Sequence, residues 1–189
     1  LAVGYGLHSQ QQTPNVYFAQ QKQPDETILM PNKNLGFTKA HHYVLSYSYR
    51  LSKNLQAKTE LYYQQLFNVP VSIYDSSSLS AINIQNEYIT DPLENTGKGR
   101  NYGIELSLER YLQNDFYLTL SSSLYQSKYT AKDGVERNTR FNGNYISTLI
   151  AGKDFVNKRK AKTFGVNLKT IYAGGMRNTP VDFAASQQK

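Results

Sequence analysis

Cysteine and tryptophan are absent from this 189-residue chain. Without thiols there is neither a disulfide framework nor a thiolate metal site. That absence suits a reducing compartment and equally an exported protein that needs no covalent staples. Hydrophobic residues are also scarce, at 39%, where soluble domains usually hold about 45–50%. No run of roughly eighteen apolar residues occurs, which excludes a transmembrane helix but not a membrane β-barrel, whose strands alternate and score poorly on hydropathy. The opening "LAVGYGLHSQ" has no basic segment followed by an apolar one, so it does not read as a secretion signal. A net charge of +7 raises nucleic acid as a partner. The cations form no stripe with interleaved aromatics, and their densest group, "KDFVNKRKAK" at 153–162, falls in a connection between strands, so nucleic acid is not expected.

What is present is tyrosine, sixteen residues of it beside eight phenylalanines. Tyrosine joins an apolar ring to a polar tip and suits strands and water–membrane boundaries. The stretch "NYGIELSLERYL" (101–112) shows how these residues are arranged. At helical spacing Tyr102 and Leu106 fall among the polar residues. At period two, Tyr102, Ile104, Leu106 and Leu108 share one face, and Gly103, Glu105, Ser107 and Glu109 the other. The same alternation recurs at 2–7, 41–51, 54–67, 115–129, 141–153 and 163–175, in segments whose Thr, Tyr, Val and Gly content favours strands.

Connections alternate between long and short. Long ones fall at about 9–40, 68–100, 130–138 and 175–189, and short ones at about 52–54, 113–115 and 154–161. Short turns on one side and long loops on the other are the pattern of outer-membrane barrels. The strands also reach the roughly 9–11 residues needed to cross lipid. Their polar faces, rich in Ser, Thr, Asn, Gln, Glu and Lys, would leave many hydrogen bonds unmet inside a protein core. The expected fold is therefore all-β, an antiparallel up-and-down transmembrane β-barrel segment of about six or seven strands, with the apolar face of "NYGIELSLERYL" toward lipid. Arg110 lies on that face near a short turn, where a long cation can snorkel to the interface. Tyr43, Tyr102, Tyr111, Phe116, Tyr145, Phe155 and Tyr172, near strand ends, are expected to form aromatic girdles. A soluble β-rich module, such as a carbohydrate-binding sandwich, is the alternative.

Three stretches, "PNKNLGFTKAHHYVLSYSYRLSKNLQAKTELYYQQLFNVPV", "ENTGKGRNYGIELSLERYL" and "YAGGMRNTPVDF", resemble the later barrel strands of TonB-dependent outer-membrane receptors. The resemblance implies a barrel of about twenty-two strands with an N-terminal plug. It implies location in the bacterial outer membrane and uptake of a scarce ligand (siderophore, cobalamin, glycan or peptide) with energy from the inner-membrane coupling complex. Partners implied are outer-membrane lipid and lipopolysaccharide, the rest of the receptor including its plug, and the TonB complex through an N-terminal region. Neither a plug nor final strands are recognised in the 189 residues, which are therefore expected to be an internal part of a receptor.

No enzyme, cofactor or metal site is expected. His41 and His42 are adjacent and point to opposite faces, with His8 the one other histidine. "GKGRNYG" leads into a strand and lacks the Gly-Lys-Ser/Thr ending of a phosphate loop. Glu105 and Glu109 share a face but stand about 13 Å apart along a strand, too far for an acid/base pair. Tyr17, Phe18, Tyr74 and Tyr88 fall in the long loops and are candidates for gripping a ligand. By parity Lys128 faces outward at the loop end of its strand, near lipopolysaccharide phosphates, with Lys158 at the opposite end.

Overall fold

In a computed structural model the chain is described over residues 1–85, 87–157, 159 and 161–177. The strands are β1 (Ala2–Gln10), β2 (Gln21–Lys22), β3 (Ile28–Leu29), β4 (Thr38–Ser52), β5 (Leu55–Ser72), β6 (Leu93–Gln113), β7 (Phe116–Thr130), β8 (Glu136–Asn138), β9 (Tyr145–Asn157) and β10 (Lys162–Ala173). One short helix, α1 (Pro14–Tyr17), and a single 3₁₀ turn, Ala81–Asn83, lie in the long connections. The long strands pair antiparallel in the order β1-β4-β5-β6-β7-β9-β10, each beside the next long strand in the chain, while β8 adds to the far end of β7 and β2 pairs only with β3. This is the expected up-and-down meander, and the sheet is not closed: β1 and β10 each have one neighbour.

Register turns the alternation of single strands into two continuous faces. Directly opposed residues share a face, so Tyr5, Tyr43, Tyr63 and Tyr102 fall in one row, and Val3, Leu45, Leu61, Ile104, Leu124 and Tyr145 in the next. Leu108, Leu120 and Leu149 continue the apolar face toward the short turns. Leu106 is 49% exposed, and no second sheet lies over this face among the described residues, so the sandwich alternative does not form. Ser122 and Ser147, two hydroxyls on the apolar face, hydrogen-bond each other at 2.7 Å, as a hydrocarbon surrounding requires. Arg110 lays its guanidinium over the Phe116 ring, 5.2 Å from its centre.

The turns follow their chemistry. Asn114 and Asp115 form a two-residue hairpin loop with φ of 53° and 59°, the left-handed pair that Asn and Asp tolerate best. Strands penetrate the connections further than the period-two pattern indicates. β5 runs on to Ser72 and β6 begins at Leu93 because their ladder continues past a bulge as Val71↔Glu94 and Ser72↔Leu93. β9 begins only at Tyr145, so Phe141–Asn144 are not strand; Asn144, at φ 70°, breaks the ladder. The basic run at 153–162 is also not a loop. β9 carries it to Asn157 and the Phe155–Phe164 ring pair keeps the alternation going, which leaves a connection of 158–161. Lys158, and most of the expected loop at 175–189, lie outside the described residues.

One aromatic position leaves the expected girdles and three others join them. Tyr111 directs its hydroxyl to Gln56, on the polar side, because it shares the parity of Glu105 and Glu109, and Gln56 is the cross-strand partner of Glu109. Tyr5, Tyr63 and Phe164 instead join the girdle positions through the ring contacts Tyr5–Tyr43, Tyr63–Tyr102 and Phe155–Phe164.

The buried apolar residues gather at the long-loop end of the sheet, where the ends of β5, β6 and β7 meet the connections. Val16, Ile89 and Leu93 pack with Leu35, Leu79 and Ile84, and Val71, Tyr129 and Ala131 pack with Ile82. The open edges carry a consequence. Unpaired N–H and C=O groups along β1 and β10 cost several kcal/mol each in hydrocarbon and template pairing with other chains. Residues 1–189 expressed alone are therefore expected to aggregate or pair edge to edge. A monomeric, heat-modifiable, protease-resistant insertion into detergent or lipid would show otherwise.

Candidate functional site

The polar face is built from the alternate residues of the same strands. Three successive rows cross it: His42, Gln64, Asn101 and Ser127; Val44, Tyr62, Gly103 and Tyr125; Ser46, Glu60, Glu105 and Ser123. They line an open hollow of about 480 Å³, floored by Glu60 and Glu105 and walled by Tyr62, Tyr125, His42 and Phe141. Gly103 makes this shape. A Cβ there would meet the Tyr62 hydroxyl at 2.9 Å and the Leu124 carbonyl at 2.5 Å, so only glycine lets the tyrosine lie across the neighbouring strand. Gly152 accommodates Tyr117 in the same way, and the Tyr117 hydroxyl donates to Asn167 at 2.9 Å.

The upper wall is a continuous hydrogen-bonded network. Asn101 donates to Gln64 at 2.7 Å, Ser127 donates to Asn101 at 2.7 Å, and Thr139 donates to Ser127 at 2.9 Å. Asn142, fully buried, accepts from the Ser127 backbone and donates to Gln126 and Asn138. Such a wall presents fixed donors and acceptors to whatever lies against the face. The floor is anionic. Glu60 and Glu105 are direct cross-strand partners, with Cβ atoms about 5 Å apart, and Lys58 offsets the first of them at 2.7 Å.

The structure therefore sets Glu105 beside Glu60, a neighbour invisible along the strand, while Glu109 stays in a separate row opposite Gln56 and Thr119. His41 and His42 are split between faces. His41 stacks on Phe67 and meets Tyr5, and His42 has His8 at 5.9 Å and Tyr62 at 6.4 Å between ring centres. His8 and His42 come together because they are diagonal neighbours of the β1–β4 ladder. Groups of three or more metal-ligating side chains do not occur among the described residues.

Above the sheet the long connections form a folded crown. Asn32 donates to the Asp91 carbonyl and accepts from the Leu93 N–H at 2.8 Å, Asn15 donates to the Glu87 carbonyl, and Gln21 donates to the Thr90 carbonyl. Asn95 and Gly36 exchange two further bonds. Of the loop aromatics, Tyr17 closes α1 and is half-buried, whereas Phe18, Tyr74 and Tyr88 are 66%, 54% and 92% exposed on the crown. Lys128 meets Glu136 at 3.5 Å, and Arg100 meets the same carboxylate at 2.8 Å.

Glu87 fastens the crown electrostatically. The Gln85 backbone N–H donating at 2.7 Å and then the Arg140 guanidinium hold its carboxyl down, from 4.5 to about 2. A depressed carboxylate stabilises above its unfolded value and loses that contribution as pH falls toward its folded one. Crown order should thus weaken between about pH 4.5 and 2. Limited pepsin digestion across that range is expected to open the 73–92 connection progressively. Glu87→Gln should flatten the dependence and already loosen the segment at neutral pH.

The family model described as TonB dependent receptor-like, beta-barrel matches residues 4–185. No curated protein and no solved structure gives a match. The matched family is one of ligand-uptake receptors of the Gram-negative outer membrane rather than of enzymes.

Proposed function

The chain belongs to the TonB-dependent receptor-like β-barrel family, and from that premise we propose that it forms the wall and part of the outer crown of a receptor importing a scarce ligand with energy from the inner-membrane coupling complex. Siderophores, cobalamin, glycans and peptides are the candidate ligands. The observation that carries the reading is a single two-faced sheet of membrane-length strands whose long connections fold together at one end. The open edges of β1 and β10 pair with further strands of the receptor, and the polar face lies against its plug. The coupling complex acts through a segment outside this sequence. Lys128 sits above the Tyr43–Tyr63–Tyr102 row on the outward face, at the height of lipopolysaccharide phosphates. Tyr17, Phe18, Tyr74 and Tyr88 belong to the ligand-facing crown.

Orientation tests this reading. Because these 189 residues contain no cysteine, single replacements here can be labelled in the full receptor once any cysteine elsewhere in it has been replaced. A membrane-impermeant maleimide should label Tyr88→Cys and Lys128→Cys in intact cells and label Lys53→Cys, in the β4–β5 turn, only after lysis. The opposite pattern would mean that the long connections face the periplasm, and the proposed ligand-gathering crown would fail.

A further inference from the structure

Three guanidinium groups from separate parts of the chain converge above the polar face. Arg137 lies in β8, Arg140 just beyond it, and Arg177 follows β10. Together with Tyr129, Asn83 and Asn138 they line a cavity of about 520 Å³. Tyr129 is the direct partner of Arg137 and continues the parity of Tyr125 and Ser127. Its Tyr129–Arg137 wall therefore lies on the side of the polar face, and Asn138, the partner of Lys128, stands at its outward rim.

Like charges gathered in one place repel, and the described residues compensate them incompletely. Arg137 is held by Asp133 at 2.7 Å and Arg140 by Glu87. Arg177 has no carboxylate partner among the described residues. Its Nε donates to the Asn142 carbonyl at 3.1 Å and its terminal nitrogen to Asn144 at 2.8 Å, both neutral acceptors. These bonds fix the planar group in place without neutralising it. Backbone bonding from Arg177 to the Arg140 carbonyl, at 2.8 Å, keeps the two arginines adjacent. Among the described residues three guanidinium groups face two carboxylates, and the charge they leave over sits on a positioned fork, the geometry that binds carboxylate or phosphate oxygens through paired hydrogen bonds.

We propose that this cavity is the entry subsite for an oxyanion-bearing solute, one that presents a carboxylate, phosphate or sulfate to Arg140 and Arg177. Asn83 and Asn138 supply neutral hydrogen-bonding groups beside that anion. The assignment of the solute as imported cargo rests on the uptake reading above, but anion binding itself does not. An outer-leaflet lipid headgroup would have to approach the outward face, where Lys128 and Arg100 lie, and is not the occupant.

The test uses the full receptor containing this chain, purified in detergent, with citrate and inorganic phosphate as probes and glucose as a neutral control in calorimetric titrations. Saturable binding of citrate, weakened in 0.5 M salt and absent for glucose, is expected. Arg177→Gln should weaken citrate binding about ten-fold, equivalent to about 1.4 kcal/mol. Arg177→Lys, which can still donate to Asn142 and Asn144, should retain part of the affinity and so separates loss of the anion contact from loss of loop structure. Absence of saturable citrate binding by the unaltered receptor, or undiminished binding by Arg177→Gln, would overturn the proposal. Outer-membrane fractionation of the same receptors reports on the uptake reading separately: a receptor that inserts but binds no anion removes this subsite alone.

Discussion

Everything in this structure depends on a face that the chain itself leaves uncovered. Period-two alternation in one strand is common; here the register of seven strands aligns the alternation, so Val3, Leu45, Leu61, Ile104 and Leu124 form one apolar row with tyrosines along its border. An exposed surface of that kind is untenable in water. In hydrocarbon it is the favourable arrangement, and the hydrogen bond between Ser122 and Ser147 satisfies the two hydroxyls on that face in the way such a solvent demands. The thin supply of hydrophobic residues follows, because a wall one sheet thick needs apolar side chains on one face only.

The reverse economy holds at the long-loop end. There water is the solvent, and the chain makes its small conventional cores, Val16 with Ile89 and Leu93, and Val71 with Tyr129 and Ala131. Asn32, buried and satisfied on both sides of its amide, locks one long connection to the other. A crown held this way presents its exposed aromatics and its arginines at fixed positions, and a ligand bound there, as proposed above, would meet a surface with less ordering entropy to lose. Its ion pairs are largely exposed, so their individual worth is modest. Their value is in placement.

How much could be read from the residues varies with what sets each feature. Face assignment depends on local alternation, and the face and pairing of Tyr102 to Leu108 follow from it. The Asn114-Asp115 turn is equally local, because its backbone conformation is a property of those two residue types. Strand limits are not local: Ser72 and Leu93 extend the ladder only because each supplies the other's partner. The polar cavity is less legible still. Glu60 beside Glu105, and His8 beside His42, are consequences of register between strands far apart in sequence. Along the strand Gly103 is one more residue of the polar face, and the signal that it is a recess lies in Tyr62, across the ladder. The arginine cavity needs three connections folded together, which no spacing rule anticipates.

The central claim, that one face of this sheet is solvated by lipid, is tested most directly by moving one charge between adjacent residues. Leu106 lies on the apolar face and Ser107 on the polar one, opposite Lys58 and Ser121. In the full receptor, equilibrium unfolding of Leu106→Arg should show a loss of about 2–4 kcal/mol, the cost of a cation near the bilayer midplane. Ser107→Arg should cost well under half of that. Equal and small effects at both positions would mean that water reaches both faces, and the membrane-wall account would be contradicted.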